Sequence, residues 1–229
     1  ADKKITLYNS SDLSEVKSFG PVFGDVKGIT FPDNSTMTVS SGDGLIRTYD
    51  IATAAETNII GGNANQVYSI VYSKDGNNLV SASYDGTVQI WSVETGECLK
   101  AVKAHDGKVY TVDMSSDGTK IVTASLDKTA KIFSYPDLVL QKTLTGNEKE
   151  VSSARFSPDG TKVVTAGWDR KTRVWDSTTG DILKTFGEHK DIVYYAAFSN
   201  DGTKIATASW DYDVKMWSLT SDVSLATYI

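Results

Sequence analysis

The side chains best suited to acid–base, nucleophilic or metal chemistry are few: two histidines, His105 and His189, and a single cysteine, Cys98. His189 precedes Thr207 and Asp211, so an imidazole, a hydroxyl and a carboxylate share one short stretch, the types a nucleophilic triad needs. His105, Thr123 and Asp127 present the same types at the same spacing. An active site is usually single, whereas this set recurs, so a repeated structural role outweighs catalysis. The histidines stand 84 residues apart, in units that are not neighbours, which argues against a shared metal ion. Cys98 falls where other copies of the unit carry Leu140 and Ile182, and it reads as a core residue of an outer strand, not a nucleophile. Glycines stand singly in turns, without a phosphate-cradling loop. No catalytic residue, metal site or cofactor is assigned, and the chain reads as a non-enzyme.

The unit that carries these residues is a period of 42. Asp43, Asp85, Asp127, Asp169 and Asp211 keep that interval, and six residues after each comes an aromatic: Tyr49, Trp91, Phe133, Trp175 and Trp217. Asp75-Gly76, Asp117-Gly118, Asp159-Gly160 and Asp201-Gly202 keep it too, and Asp33-Asn34 extends it backwards. A partial copy opens the chain, with Asp2 six residues before Tyr8. Within each period short β-branched runs such as KIVTAS (120–125) and KVVTAG (162–167) lie between Asp-Gly turns that suit hairpins. Four strands fit each period, near VYSIVYS, LVSAS, TVQIW and ECLKAV in the second full copy, and no stretch sustains a helical period. A four-stranded unit of this size cannot bury both of its faces alone, so the copies must pack radially against one another.

In spacing and residue type the copies resemble WD40 repeats, whose sheets are the blades of a β-propeller. The third strand ends in Trp175-Asp176 in one copy, while the others read TYD, IWS, IFS and MWS. The resemblance covers the whole chain and implies an all-β propeller as a single domain over 1–229. Its expected divisions are a partial blade at 1–20 and full repeats at 21–61, 62–103, 104–145, 146–187 and 188–229. Five full blades and the outer half of a sixth fall short of the seven common in the family. The expectation is a fragment of a seven-bladed ring, with roughly 60 further residues on the N-terminal side, or a partner, supplying the missing strands.

The resemblance also implies a role for the histidines. In WD40 blades a His, a Ser or Thr, the turn Asp and the Trp form a buried hydrogen-bonded chain; an indole N–H only donates, a hydroxyl does both, and an imidazole relays to a carboxylate. The last copy has all four members: His189, Thr207, Asp211 and Trp217. The copy before it has Asn147 with Thr165, Asp169 and Trp175, an amide in place of the imidazole. The third has His105, Thr123 and Asp127 but ends in Phe133, which cannot donate, and the second has Asn63, Ser81, Asp85 and Trp91. The first, with Val39, Asp43 and Tyr49, has lost most of the chain.

Partners of such propellers dock on the rim called the top face, where the family points the residue before the turn Asp and two residues near the start of the first strand. Here these are Asp25, Lys27 and Gly42; Gln66, Tyr68 and Tyr84; Lys108, Tyr110 and Leu126; Glu150, Ser152 and Trp168; Ile192, Tyr194 and Trp210. Tyr68, Tyr84, Lys108, Tyr110, Trp168, Tyr194 and Trp210 are the expected partner-binding set, because large solvent-facing aromatics suit a protein-binding hot spot. Shielding of blade edges is the plainer role for any one tyrosine. The opposite rim carries Lys120, Lys162 and Lys204, which read as a solvated face.

Composition sets the remaining bounds. A net charge of −6 disfavours nucleic acid as a partner, since phosphate neutralisation needs a Lys/Arg surplus. The longest apolar run, Ile192 to Phe198, has seven residues, far below the ~20 of a membrane helix. One cysteine suits a reducing compartment, so an intracellular protein, cytoplasmic or nuclear, is expected. Asn9 and Asn34 head Asn-x-Ser/Thr triplets that read as unmodified turn residues. The leading function is a non-catalytic scaffold for protein or peptide partners. The alternatives are a reader of modified histone or other peptide tails through aromatic pockets and a propeller enzyme, which would need a non-repeating polar cluster near the axis that is not visible in the sequence.

Overall fold

A computed structural model describes residues 4–20, 24–63, 65–187, 189–221 and 224–228. Asp2, the acid of the opening partial copy, lies outside them. All regular structure among the described residues is β. Strands β1 (Ile5–Tyr8) and β2 (Glu15–Phe19) pair as a two-stranded sheet. Five four-stranded antiparallel sheets follow in chain order. They comprise β3 (Val26–Thr30), β4 (Thr36–Ser41), β5 (Leu45–Asp50) and β6 (Glu56–Gly62); β7 (Val67–Tyr72), β8 (Asn78–Ser83), β9 (Thr87–Ser92) and β10 (Cys98–Lys103); and β11 (Val109–Met114), β12 (Lys120–Ser125), β13 (Ala130–Ser134) and β14 (Leu140–Leu144). The last two are β15 (Val151–Phe156), β16 (Lys162–Gly167), β17 (Thr172–Asp176) and β18 (Ile182–Phe186), and then β19 (Val193–Phe198), β20 (Lys204–Ser209), β21 (Val214–Ser218) and β22 (Ser224–Tyr228). The four strands read from VYSIVYS, LVSAS, TVQIW and ECLKAV are β7 to β10.

Local chemistry makes the hairpins. Between β11 and β12, Gly118 turns the chain at φ +75°, its N–H donating to the Ser115 carbonyl at 2.8 Å. The Asp117 carboxylate closes the turn by accepting from the Ser115 hydroxyl at 2.6 Å and the Thr119 amide at 2.9 Å. Those bonds hold the Asp117 carboxyl down at about 2, and the matching turns do the same for Asp159 and Asp201.

The second strands β4, β8, β12 and β16 are buried on both faces, which is why KIVTAS and KVVTAG read as continuous runs, whereas β20 of the last sheet alternates buried and exposed residues. Each core cluster joins one sheet to the next: Val122, Ala124, Ile132 and Leu144 meet Val151, Phe156, Val163 and Trp175, while Val164, Val174 and Phe186 meet Val193, Ile205 and Trp217. Hydroxyls stitch neighbouring first strands together. The Val112, Ala154 and Ala196 amides donate to the Ser69, Thr111 and Ser153 hydroxyls at 3.2, 3.1 and 3.1 Å. Residues from β3, β7, β11, β15 and β19 line one cavity of about 460 Å³. Sheets stacked face to face in chain order, with their first strands around one cavity, form a β-propeller.

One feature of register aims the side chains of the rim. Each first strand carries a bulge at the same place: Val26/Gly28, Val67/Ser69, Val109/Thr111, Val151/Ser153 and Val193/Tyr195. The extra residues are Lys27, Tyr68, Tyr110, Ser152 and Tyr194, and all five line the cavity.

Candidate interaction face and the networks beneath it

Beneath the rim the polar chains are built as the sequence orders them in two sheets and differently in the others. In the last sheet the Trp217 indole N–H donates to Thr207 Oγ1 at 2.9 Å, Thr207 meets His189 Nε2 at 2.7 Å, and His189 Nδ1 meets Asp211 at 2.9 Å. A carboxylate only accepts, so Nδ1 carries the proton and Nε2 accepts from the hydroxyl. His105 repeats this with Thr123 and Asp127 at 2.7 Å each, while buried Phe133 contributes no donor. Burial pushes the His105 imidazole below its usual range against the pull of Asp127. Burial works to raise the Asp127 carboxyl, yet bonds from His105 and Thr129 outweigh it and hold the group well below the ordinary carboxylate range.

In the β7–β10 sheet the chain takes one more step. Trp91 donates to Ser81 at 2.9 Å, Ser81 to Asn63 Oδ1 at 3.2 Å, Asn63 Nδ2 to Thr87 at 3.2 Å, and Thr87 to Asp85 at 2.6 Å. In the β15–β18 sheet Asn147 does not simply replace an imidazole. Trp175 donates to Thr165 at 2.9 Å, but Asn147 Oδ1 accepts from Arg173 at 2.9 Å, and Arg173 pairs with Asp169 at 2.8 Å. A planar guanidinium from β17 reaches both partners at once. The β3–β6 sheet uses the same device, Arg47 donating to Asp43 at 2.6 Å and to Ser41 at 3.0 Å.

Above these chains the rim residues divide into two groups. Tyr68 stacks with Tyr84 at 6.1 Å between centroids and takes Tyr110 edge-on at 5.7 Å. Lys27 lies 5.7 Å from the Tyr68 ring and Lys108 4.1 Å from the Tyr84 ring. On the other side Trp168 and Trp210 stand 6.2 Å apart, and Tyr194 stacks on Trp210 at 6.4 Å. Trp210 and Tyr194 are each 54% exposed, whereas Trp168 is half-buried with an indole N–H that finds no partner. Burial, with neighbouring phenols and Glu150, pushes the Tyr110 hydroxyl up to about 12. Ser152 is turned away from partners: its buried hydroxyl has one proton to donate, to the Val193 carbonyl at 2.7 Å or the Ala166 carbonyl at 3.0 Å.

Two further readings of the sequence need correction. Cys98 is exposed, as are Leu140 and Ile182 at the equivalent positions, because the outer strands have no sheet beyond them. A non-repeating polar cluster also stands at the cavity. Arg155 donates to Asp113 at 3.3 Å, to the Val112 carbonyl at 3.1 Å and to the Tyr195 hydroxyl at 3.0 Å. Its donors are engaged across three sheets, which makes it a strut. Lys120, Lys162 and Lys204 all sit at the starts of second strands, with Lys162 4.0 Å from Asp159. Among the described residues no three His, Cys, Asp or Glu side chains are grouped to hold a metal, and no helix is long and apolar enough to cross a membrane.

A β-propeller with buried Trp–hydroxyl chains and an aromatic rim defines the class. Residues 55–92, 96–134, 138–176 and 180–218 match the WD40 family (WD domain, G-beta repeat), more than half of the chain, which belongs to that family. Each matched unit runs from the fourth strand of one sheet through the third strand of the next. No curated protein matches the chain. WD40 repeats generally mediate protein–protein interaction, and proteins built from them are typically non-enzymatic.

Proposed function

We propose that this chain is a non-catalytic scaffold that docks protein or peptide partners on the face carrying Tyr68, Tyr84, Lys108, Tyr110, Trp168, Tyr194 and Trp210. The observation that carries the reading is the Trp168–Trp210–Tyr194 cluster, three large aromatics in contact, two of them more than half exposed. Exposed aromatics held by neighbours lose little freedom on binding and dominate interface energies. The scaffold acts as one domain over 1–229, with its sheets as blades of a seven-bladed ring, inside the cell, on proteins and not on nucleic acid or membrane. A reader of modified peptide tails is the second reading. The Tyr194 and Trp210 faces favour it, since among the described residues no cation of this chain covers them, whereas Tyr68 and Tyr84 carry their own lysines. Affinity capture from the native source, parent against the Trp168→Ala/Trp210→Ala variant, tests the proposal. A partner held by the parent and lost by the variant supports it; identical captures reject it.

A further inference from the structure

We propose that the corner of the rim formed by Lys27, Lys108, Tyr68, Tyr84 and Tyr110 receives the carboxylates of an acidic partner segment, an inference that rests on the docking face proposed above. Each of two stacked tyrosines bears an ammonium group: Lys27 at 5.7 Å from Tyr68, Lys108 at 4.1 Å from Tyr84. Lysine is a long, rotamer-rich side chain, and ordering it on binding opposes association. A ring face that already holds the ammonium removes part of that penalty while leaving N–H groups free for an acceptor.

Among the described residues only one of these two cations, Lys27, has an internal carboxylate partner. Among the described residues no carboxylate lies within ion-pair distance of Lys108, and Lys27 meets only Asp25, at 3.4 Å, whose side chain is 69% exposed. The phenol of Tyr110, edge-on to Tyr68 at 5.7 Å, stays protonated as a further donor. Charge complementarity selects the occupant. The chain as a whole carries −6, and Asp25 and Glu150 stand beside this corner, so it is the two lysines converging on three phenols that orient an acidic segment here. The bulges place this corner, because Lys27, Tyr68 and Tyr110 are the extra residues of β3, β7 and β11.

Fluorescence anisotropy with three labelled peptides tests this. The peptides share a Trp-Leu anchor and differ only in bearing a run of Glu, of Gln or of Lys. The Glu peptide should bind most tightly and the Lys peptide most weakly, with the difference shrinking as salt rises from about 0.05 M to about 0.5 M. Lys27→Gln and Lys108→Gln should each weaken the Glu peptide about fivefold, Lys108→Arg should retain it, and Lys120→Gln on the opposite rim should not matter. Equal binding of the Glu and Gln peptides, or indifference to both lysine variants, overturns the proposal, as does an oligothymidylate that binds as tightly as the Glu peptide. If charge preference is absent while Trp210→Ala weakens all three peptides alike, the docking face stands and the acidic partner falls. If none of the three binds, both fail.

Discussion

The guanidinium of Arg173 closes on the carboxylate of Asp169 at 2.8 Å, with the two side chains 4% and 2% exposed. Removing one member of a buried pair leaves the other charged and unsolvated. Arg173→Leu should therefore destabilise the fold by about 3–5 kcal/mol in denaturant unfolding. Arg47→Leu should cost less, because Asp43 is 25% exposed and water can replace the lost partner. Equal losses at the two sites would show that burial does not set the difference.

His189→Ala and Trp217→Phe should each lower stability by about 1–3 kcal/mol, the range for a buried group left without its partner. Phe133→Trp is the converse case. Thr123 already accepts no indole N–H, so a new hydrogen bond of about 1 kcal/mol offsets the strain of a larger ring, and the variant should unfold close to the parent. An unchanged thermal midpoint for His189→Ala would contradict the structural role of the chain.

Stability should fall with acid in two stages. The folded His105 is depressed below its ordinary range, so the stability it contributes is complete above the unfolded value of about 6.5 and is lost as pH falls toward the folded pKa. Asp127 and Asp211 are also depressed, and Asp117, Asp159 and Asp201 lie at about 2. Their contribution is present above about 3.9 and is lost progressively as pH falls from there toward their folded values. Unfolding curves from neutral pH to about pH 2 check both stages. His105→Asn, which copies Asn63, should remove the upper stage and reduce the lower one only by the share that the His105 bond gives Asp127, leaving that of Asp117, Asp159, Asp201 and Asp211.

Trp168→Ala or Trp210→Ala should weaken the principal partner by ~2 kcal/mol or more with the fold intact, since neither side chain belongs to the Trp–hydroxyl chains. Alanines at Lys120, Lys162 and Lys204 serve as the control in the same titration. Loss of binding in the lysine variants alone would move the docking face to the opposite rim.

Cys98 should react promptly with a thiol reagent in the native protein, one equivalent per chain, because it is exposed on β10. Reaction only after unfolding would restore the core assignment.

The amino-acid sequence by itself determined the period, the four strands of each unit and the membership of the two histidine chains. These follow from local rules: an Asp-Gly turn closes through atoms two residues away, as Asp117 does with Ser115 and Thr119. Alternation of side chains then assigns Trp217, Thr207 and their kin to one face. Tertiary structure alone decided what depends on a neighbour in another strand or sheet. The bulges that turn Tyr68, Tyr110 and Tyr194 into the cavity are relations between paired strands. Arg173 and Thr87 entered their networks because their side chains lie within reach of Asn147 and Asn63, more than 20 residues earlier. Arg155 met Asp113 across 42 residues for the same reason, and Cys98 is exposed because nothing packs beyond the outer strand. Spacing along a chain records which side chains share a face; only the packed sheets settle which of them touch.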